Sequence, residues 1–498
     1  MCIKAQWIDG IKIYFYITKY KRKILFIKRI YFYPIILAAI AIISLLSGME
    51  LLQVASLTVF SSLILGTLLF WRFRLAFALV GVAALMTLGL LNTDTLIEFA
   101  GLDIILFLVA MMIVIGYLEE RHFFEHLLEI ILTRIGNNPN KLIILLMLMS
   151  GMFAALVDEV TSILFMVATV LHLTSKLRVN PIPFIIMIVF ATNLGSSATV
   201  VGNPVGVLIA LRADLTFIDF LRWATPISII GLIIAIPISL KYFSKDIKQL
   251  GAAMVSQSTG NSQYSSSTDT VVEQVVVGAP KKQSYYLIPW ILFIATIGGL
   301  VSHSAVEEAL GLEKNTMLLG TAFAAAGTTL FMQRDKAREL VERRVDWWTL
   351  AFFIFLFASV GTLQLSGVTT LIANGVFDLS GGDETRLFFV FSIVSGITGA
   401  LMDNILAVAT FIPIVNDIGD LGIYNYPLWW GLLFGATFFG NLTLIGSTAN
   451  IVALGMLERQ KRGHITLLEW IKPGALVSIP TLTLALILTY LQIPLMPR

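Results

Sequence analysis

Hydrophobic residues along the chain are grouped into long runs that alternate with short polar or basic segments. The apolar segments lie at about 31–47, 53–71, 75–91, 102–118, 141–175, 183–211, 225–243, 286–300, 315–332, 347–365, 385–418, 427–455 and 474–492. A helix needs roughly 20 apolar residues to cross about 30 Å of hydrocarbon, and most of these segments approach or exceed that length. The pattern therefore predicts an all-α polytopic membrane protein.

Two of the apolar segments, 141–175 and 385–418, are too long for an ordinary single crossing. Polar residues interrupt them near their centres: Asp158 and Glu159 in the first, Asp403 and Asn404 in the second. Each segment is either one long span or a re-entrant hairpin that enters the membrane and returns to the same side. The distribution of basic residues decides between these two alternatives.

Basic residues cluster before the first apolar run, where they are typical of a cytoplasmic anchor: Lys19, Lys21, Arg22, Lys23, Lys28 and Arg29. If the N-terminus is cytoplasmic and both long segments are hairpins, the later basic clusters, up to Lys472, also fall on the cytoplasmic side. This distribution of basic residues predicts about eleven transmembrane helices plus two re-entrant hairpins that open in opposite directions. We expect a multi-pass protein of the cell (plasma) membrane with its N-terminus in the cytoplasm.

The two halves of the chain resemble each other. Three pairs of segments match: SGMFAALVDEV (150–160) with SGITGALMDNI (395–405), ATVVGNPVGVLIAL (198–211) with LTLIGSTANIVALG (442–455), and TFIDFLRWATP (216–226) with TLLEWIKPGAL (466–476). With the predicted topology, the halves are inverted-topology repeats. Many secondary transporters have this architecture, because two similar halves that face opposite ways can present one site to each side in turn.

The predicted domains follow from this repeat. They are a basic N-terminal segment with the first transmembrane helix (1–52), a first inverted repeat (53–243), a cytoplasmic flexible linker (244–284) and a second inverted repeat (285–498). The linker is assigned because this stretch is the one extended polar region and is rich in Ser, Gln and Thr.

Composition agrees with a membrane protein and excludes several other classes. Of the 498 residues, 57% are hydrophobic and 13% are charged, and the mean hydropathy is +0.87. The single cysteine, Cys2, excludes a disulfide framework and a cysteine-based metal site. Neither a nucleophile nor a phosphate loop accompanies the acidic residues, so we predict neither an enzyme nor a cofactor. The basic N-terminal residues indicate topology rather than nucleic-acid binding, and the expected partners are the lipid bilayer and a small ion.

The acidic residues in the two long segments need partners or a function. An uncompensated carboxylate in the middle of an apolar span costs about 2.5–3.5 kcal/mol on insertion scales. One alternative is structural, with each carboxyl protonated or capping a helix N-terminus. The other is functional, because a hairpin tip exposes backbone carbonyls that a bound ion can satisfy while Asp or Asn supplies further oxygens.

Two further apolar segments contain small, hydroxyl and amide residues. The first contains Asn193, Ser196, Ser197, Thr199, Gly202 and Asn203, and the second contains Asn441, Thr443, Gly446, Ser447, Thr448 and Asn450. Gly and Pro in these stretches predict two broken helices, whose half-helix ends can bind anions or cations. Close helix packing through small residues is the alternative, but packing alone does not require the four asparagines.

Basic residues are absent from the centres of the hairpins and broken helices, so the deep charges are all negative. This favours a cation or a proton as one bound species. An anion would depend on helix dipoles and on Ser, Thr and Asn donors. His303 and His464 lie near the ends of spans, and we expect both at the surface.

At these motifs the sequence resembles the ion transporter superfamily, in particular the branch with the melanosomal P protein, the arsenite permease-like proteins and the citrate transporter-like domain. The resemblance covers most of the chain from about 53 to 492. Four segments carry it: ALVDEVTSILF (155–165), TNLGSSATVVGNPVGVLI (192–209), ALMDNILAVATFIPIV (400–415) and FGNLTLIGSTANIVA (439–453).

The resemblance implies a homodimer in which a scaffold holds a mobile transport domain with two cation sites. One implied site comprises Asp158, Glu159, Thr161, Gly202 and Asn203, and the other comprises Asp403, Asn404, Gly446, Ser447 and Asn450. Na⁺ would bind at Asp158, Asn203, Asp403, Asn404 and Asn450.

The first implied site departs from the family pattern at two places. Glu159 stands where Asn is typical, and GNPVG (202–206) stands where relatives carry an Asp-Pro-Pro-Asn type of sequence. A Glu can gain and lose a proton, so our hypothesis is that this site carries H⁺ where relatives bind Na⁺.

Together these features predict a secondary-active transporter that works by alternating access and needs no cofactor. Its substrate would be a small inorganic or carboxylate anion, such as arsenite, citrate or a dicarboxylate, coupled to Na⁺ or H⁺. A Na⁺/H⁺ antiporter is the alternative. A passive channel is less favoured, because the polar residues cluster at two central breaks rather than along a continuous path.

Overall fold

A computed structural model of the chain describes residues 29–132, 138–260 and 287–497. Every regular element within these ranges is helical, which confirms the prediction of an all-α protein. Ten of the described helices are long and apolar enough to cross a membrane. The chain is therefore a multi-pass membrane protein. Of the basic N-terminal group, only Arg29 lies within the described residues.

The helices before the predicted linker, and the one that begins it, are α1 (Arg29–Leu46), α2 (Leu51–Leu69), α3 (Arg74–Thr87), α4 (Thr93–Phe99), α5 (Leu102–Glu120), α6 (Phe123–Leu132), α7 (Pro139–Leu156), α8 (Glu159–Leu177), α9 (Ile182–Ser196), α10 (Pro204–Arg212), α11 (Phe217–Tyr242) and α12 (Ser244–Gly260). The remaining helices are α13 (Leu287–Leu310), α14 (Thr316–Gln333), α15 (Ala337–Arg344), α16 (Trp347–Leu365), α17 (Val368–Leu379), α18 (Glu384–Leu401), α19 (Asn404–Asp420), α20 (Tyr426–Phe439), α21 (Thr448–Arg459) and α22 (Leu467–Gln492).

The helices pack into two compact units. The first comprises the described part of Met1–Gly101 together with Trp348–Thr369, and the second comprises the described parts of Leu102–Trp347 and Thr370–Arg498. These units do not coincide with the predicted repeats, because the repeats group residues by sequence similarity and the units group them by packing. The repeat boundaries at 53–243 and 285–498 stay a prediction.

The first unit has its own small apolar core. Val82, Leu85, Leu91 and Ala358 are buried together in it. A polar contact joins α2 to α16 in this unit, since Ser56 Oγ donates a hydrogen bond of 3.1 Å to Thr362 Oγ1. None of the predicted ion-binding residues belongs to this unit.

Two helical hairpins in the second unit match the predicted interruptions. Helix α7 ends at Leu156 and α8 begins at Glu159, and the two helices pack against each other. Helix α18 ends at Leu401 and α19 begins at Asn404, again with the two helices in contact. The chain therefore turns back at Asp158 and at Asp403, as the sequence predicts.

Two broken helices follow the hairpins. The first break separates α9 from α10, and the second separates α20 from α21. Each second half begins with a side-chain cap: Asn203 Oδ1 accepts from the Gly206 N–H at 2.7 Å, and Ser447 Oγ accepts from the Ala449 N–H at 3.1 Å. Such caps satisfy backbone donors that would otherwise be unpaired in a buried place.

The packing of the second unit repeats between its halves. Helix α7 packs on α8 and α9 as α18 packs on α19 and α20, and α9 packs on α11 as α20 packs on α22. Contacts between the halves are matched as well, because α8 packs on α21 and α19 packs on α10. The two halves are therefore built alike. Their orientation relative to a membrane stays a prediction.

Not every helix of the structure is long enough to cross a membrane alone, and not every long helix is a separate crossing. Three of the ten spanning-length helices are arms of the hairpins, namely α7, α8 and α18. The halves of the broken helices have 15 and 9 residues in the first case and 14 and 12 in the second, so no half alone reaches spanning length. Helix α3 has 14 residues, about 21 Å at 1.5 Å per residue, which is shorter than the hydrocarbon layer.

Two sequence-based expectations need correction. The segment 244–284 is not flexible throughout, because Ser244–Gly260 forms α12, which packs on α7 and α8 through the buried Ile247, Leu250 and Met254. Apolar residues at spacings of three and four explain why this otherwise polar stretch folds as a helix. Residues 261–286 lie outside the described residues. His303 is 1% exposed and therefore not a surface residue, whereas the His464 side chain is 71% exposed, as expected.

Candidate functional site

The tips of the two hairpins lie together in the second unit. Glu159 and Asn404, which occupy matched positions in the two halves, are 0% and 1% exposed. The groups that act on the Glu159 carboxyl are the side chains of Asn404 and Ser196 and the nearby carboxylates of Asp158 and Asp403. The structure thus gathers residues from both hairpins around one buried carboxyl group.

The broken helices join the hairpin tips through short polar contacts. On the first side, Asn203 Nδ2 donates to Ser196 Oγ at 2.7 Å, and Ser196 Oγ donates to Glu159 Oε2 at 3.4 Å. On the second side, Thr448 Oγ1 donates to Asp403 Oδ2 at 2.7 Å. The N-terminal ends of α8, α10, α19 and α21 therefore meet in one polar cluster, and each end carries the positive pole of a helix dipole.

Two buried atoms in this cluster make no hydrogen bond with the described residues. They are Glu159 Oε1 and Asn404 Nδ2. The Asn404 side chain lies beside the Glu159 carboxyl. A buried polar atom without a partner costs about 1–3 kcal/mol, so atoms of this kind are candidates for binding a ligand or a proton.

The second break is held by a network of amide side chains. Asn193 Nδ2 donates to Asn441 Oδ1 at 2.7 Å and to Asn450 Oδ1 at 2.9 Å, and Ser447 Oγ donates to Asn193 Oδ1 at 2.9 Å. Asn450 Nδ2 donates in turn to the carbonyl oxygens of Gly440 and Thr443, both at 2.8 Å. Asn193 belongs to α9, so a residue of the first half stabilises the break in the second half.

The acidic residues at the two tips have different partners because the breaks differ in sequence. Asp403 accepts from Thr448, whereas the residue matched to Thr448 in the first half is Pro204, which has no donor. Asp158 instead caps its own helix, with Oδ2 accepting from the N–H groups of Val160 and Thr161 at 3.1 and 3.2 Å. The structural alternative of a capping role therefore describes Asp158 better than it describes Asp403.

Other contacts are the same in both halves. The Thr199 hydroxyl donates to the carbonyl of Ala155, and the matched Thr443 hydroxyl donates to the carbonyl of Ala400. Each bond ties a break to the hairpin before it. The backbone also approaches itself closely at matched glycines, since a Cβ atom on Gly202 would lie 2.1 Å from Ser196 O and one on Gly446 would lie 2.7 Å from Gly440 O.

Most of the predicted site residues lie in these contacts, with Ser197 as an exception. Its hydroxyl bonds to the carbonyl of Leu194 at 2.9 Å and to Ser228 Oγ at 2.7 Å, in the direction of α11. One residue of the site was missed: Trp470 is fully buried, and its Nε1 donates to the carbonyl of Asn441 at 2.9 Å. The only sequence signal for it is its place within the repeated segment TLLEWIKPGAL (466–476).

The site does not have the composition of a transition-metal site. No group of three or more His, Cys, Asp or Glu side chains in residues 29–132, 138–260 and 287–497 is arranged to hold a metal ion. The predicted Na⁺ sites are of another kind, because Na⁺ binding relies on carbonyl, amide and hydroxyl oxygens. Such oxygens are abundant at both breaks.

Comparison with known proteins places this geometry in context. The sequence model described as "Citrate transporter" matches residues 63–377 and 308–496. An uncharacterized transporter of Mycobacterium bovis is 31% identical over 429 residues, which covers 83% of this chain and 92% of the relative. The silicon efflux transporter LSI3 of rice is 23% identical over 468 residues and covers 85% and 92% of the two chains.

Two further similarities extend the comparison. The human P protein is 23% identical over 478 residues, with 82% of this chain and 56% of the P protein covered. Among solved structures, the YdaH transporter of Alcanivorax borkumensis matches with a TM-score of 0.53 at 15% identity, over 82% of this chain and 90% of that chain. At that identity the similarity shows the fold alone.

Proposed function

The chain belongs to the citrate transporter family, and we propose that it is a secondary-active transporter that moves a small inorganic or carboxylate anion by alternating access, coupled to Na⁺ or H⁺. One observation carries the proposal: four helix N-termini meet at a buried cluster in which Glu159 Oε1 has no partner among the described residues.

An anionic substrate is supported by the ends of the broken helices. The N-termini of α10 and α21 present backbone N–H groups and positive dipole ends, which together favour bound anions. Hydroxyl and amide donors surround them, including Thr448, Asn203 and Ser447. Recognition of an oxyanion or carboxylate therefore does not require an Arg or a Lys at this place.

Coupling to a cation is supported by the three acidic residues of the hairpin tips. Bringing Asp158, Glu159 and Asp403 together is unfavourable unless a cation or a proton compensates their charge. Na⁺/H⁺ exchange is a second candidate function, favoured because the nearest charged neighbours of Glu159 are themselves carboxylates.

The proposal includes the arrangement in the membrane. We expect the two halves of the second unit to face opposite sides, the N-terminus to lie in the cytoplasm and the protein to be a homodimer of the plasma membrane. Matched packing in the two halves supports the first of these expectations. Its partners would then be the bilayer and a small ion, with no nucleic acid.

The experiment is flux in proteoliposomes containing the purified full-length protein. Na⁺ and pH gradients are imposed separately, and uptake of citrate, succinate and arsenite is followed together with Na⁺ and H⁺ movement. We expect one anion to accumulate above equilibrium only while one gradient is present. Equilibration without accumulation would indicate a channel, and exchange of Na⁺ for H⁺ without anion movement would indicate an antiporter.

A further inference from the structure

The two breaks differ at one matched position in a way that changes their backbone chemistry. Asn450 in the second half aligns with Gly206 in the first half. Both positions lie in the first turn of the helix that follows the break, α21 or α10. One break therefore has an amide side chain next to its carbonyl oxygens, and the other break has none at that position.

The Asn450 amide occupies the carbonyl oxygens of the second break. Its nitrogen donates to Gly440 O and Thr443 O at 2.8 Å each, and Asn450 is fully buried. Backbone carbonyl oxygens can coordinate a monovalent cation, and here the two N–H donors of the amide are bonded to both of them. The amide oxygen accepts from Asn193, so the whole side chain is fixed.

The rest of this network is complete as well. The side-chain nitrogen and oxygen atoms of Asn193, Asn441, Ser447 and Asn450 all have hydrogen-bond partners. Trp470 covers it from α22 by donating to the carbonyl of Asn441. A fully satisfied buried network is rigid, and replacing one of its bonds by an ion would first require breaking the others.

The first break is different. The carbonyls matched to Gly440 O and Thr443 O are those of Ser196 and Thr199, and no side chain of the described residues donates to them. The Glu159 carboxyl accepts from Ser196 Oγ through Oε2, and its other oxygen, Oε1, has no hydrogen-bond partner among the described residues. The first side therefore has two carbonyl oxygens to which no side chain of the described residues donates, and a buried carboxylate oxygen without a hydrogen-bond partner.

We propose that the second break binds no cation, because the Asn450 amide takes the place of one, and that the coupling cation binds only on the first side, around Glu159 and the first break. The transporter then moves one cation at a single site, although the resemblance to its superfamily implies two. The coupling part of this inference rests on the proposed function.

Thermal unfolding of the purified full-length protein tests the proposal without any transport. The protein is titrated with NaCl against choline chloride at constant ionic strength, because a ligand that binds only the folded state raises the melting temperature in a saturable way. In the wild type we expect either no Na⁺-specific rise or one with a Hill coefficient of 1 that Glu159→Gln abolishes. A Na⁺-specific rise that survives Glu159→Gln would overturn the proposal.

Removing the amide provides the complementary test. Asn450→Gly gives the second break the residue found in the first, and Asn450→Asp keeps the shape but removes the NH₂ donor. Both variants are expected to melt lower in choline and to gain a saturable Na⁺-dependent rise that persists when Glu159→Gln is added. If neither variant gains one, the proposal is wrong.

Asn425→Asp is the matched control, because Asn425 Nδ2 donates to the carbonyl of Val415 at 3.1 Å outside both breaks. This variant should gain no Na⁺ dependence, and an equal gain there would remove the argument for Asn450. Failure of the proposed function shows separately, as absence of gradient-driven flux in proteoliposomes while the Na⁺ dependence of unfolding follows the pattern above.

Discussion

The two breaks of the second unit have the same backbone plan but different side-chain contacts. In both, a Thr hydroxyl bonds to a hairpin carbonyl, a glycine allows close backbone approach and a polar residue caps the following helix. The matched helices α11 and α22 also begin with the same capping box, formed by Thr216 with Asp219 and by Thr466 with Glu469. The shared contacts build the fold of each half.

The differences between the breaks are confined to a few matched positions. Thr448 corresponds to Pro204 and Asn450 to Gly206, and continuing the alignment without a gap pairs Asn193 with Thr437. At each pair, one residue has a donor that bonds across the site and the other does not. Among the described residues Thr437, for example, bonds within its own helix, to the carbonyl of Leu433. If the proposal holds, one duplicated scaffold carries a ligand site on one side and a structural network on the other.

Neutralising Glu159 is expected to have the largest effect on transport. Glu159→Gln keeps the shape but removes the carboxylate, and loss of a charge-assisted contact of about 1.5–3 kcal/mol corresponds to roughly tenfold or more in ion affinity. We expect gradient-driven flux to fall by at least that factor. Flux should also lose its dependence on pH, because the residue that can exchange a proton beside Asp158 and Asp403 is gone. Initial rates in proteoliposomes between pH 5.5 and 8.5 measure both effects.

The matched substitution is Asn404→Gln, which changes length but leaves charge alone at the corresponding position. It should reduce flux less and keep the pH dependence. An unchanged pH profile in Glu159→Gln would remove Glu159 as a proton carrier, and an equal loss in both variants would argue that packing at the tips matters more than charge.

The second prediction concerns the network at the other break. Asn193→Ala removes the shared partner of Asn441, Asn450 and Ser447, and each buried polar group left unsatisfied costs about 1–3 kcal/mol. We expect a loss of several kcal/mol in the free energy of unfolding, seen as a clear drop in melting temperature in detergent. Thr437→Ala, its counterpart, should lose much less, because the Thr437 hydroxyl bonds only to its own helix. Equal losses would show that the network does not stabilise the second break.

Much of the fold could be predicted because hydrophobic run length and polar interruptions are local signals. The turns at Asp158 and Asp403 and the breaks at Gly202 and Gly446 all lie where polar or small residues interrupt apolar runs. Helix α12 was not predicted, because its three buried apolar residues are widely spaced in a polar stretch. What buries them is packing against α7 and α8, which the local sequence does not encode. The burial of His303 likewise depends on packing that no local pattern encodes.

The site residues could be located from the sequence, but their pairing could not. Asn193 and Asn450 were selected for the same reason, as amides in apolar runs, yet they bond to each other across 257 positions of the chain. The sequence also treats Asp158 and Asp403 alike, and only the structure shows that one caps a helix while the other accepts from Thr448. Whether a polar atom has a hydrogen-bond partner depends on tertiary contacts. The difference in hydrogen bonding between the two breaks could therefore not be predicted from the sequence.

The matched glycines of the two breaks differ in how closely the backbone approaches them. A Cβ on Gly202 would lie 2.1 Å from a backbone oxygen and one on Gly446 would lie 2.7 Å from another. Both Ala variants must shift backbone, at a typical cost of about 1–3 kcal/mol, and Gly202→Ala should cost more because the overlap is greater. Melting temperatures of the two variants in the same detergent measure the difference. If Gly446→Ala lowered the melting temperature more than Gly202→Ala, the backbone of the second break would be the less able to shift around an added Cβ.

The smallest effect is expected where the halves are alike, and it calibrates the larger ones. Thr199→Val and Thr443→Val each remove one hydroxyl that ties a break to its hairpin, and a typical intramolecular hydrogen bond contributes about 0.5–1.5 kcal/mol. Because the two hydroxyls donate to carbonyls at matched positions, those of Ala155 and Ala400, we expect nearly equal losses in the free energy of unfolding. If Thr199→Val also lowers ion-coupled flux and Thr443→Val does not, the inequality of the two sides extends to flux itself, since equal losses of stability cannot produce unequal transport. Equal losses of flux would instead mean that both breaks contribute to transport alike, and the division between a ligand side and a structural side would have to be abandoned.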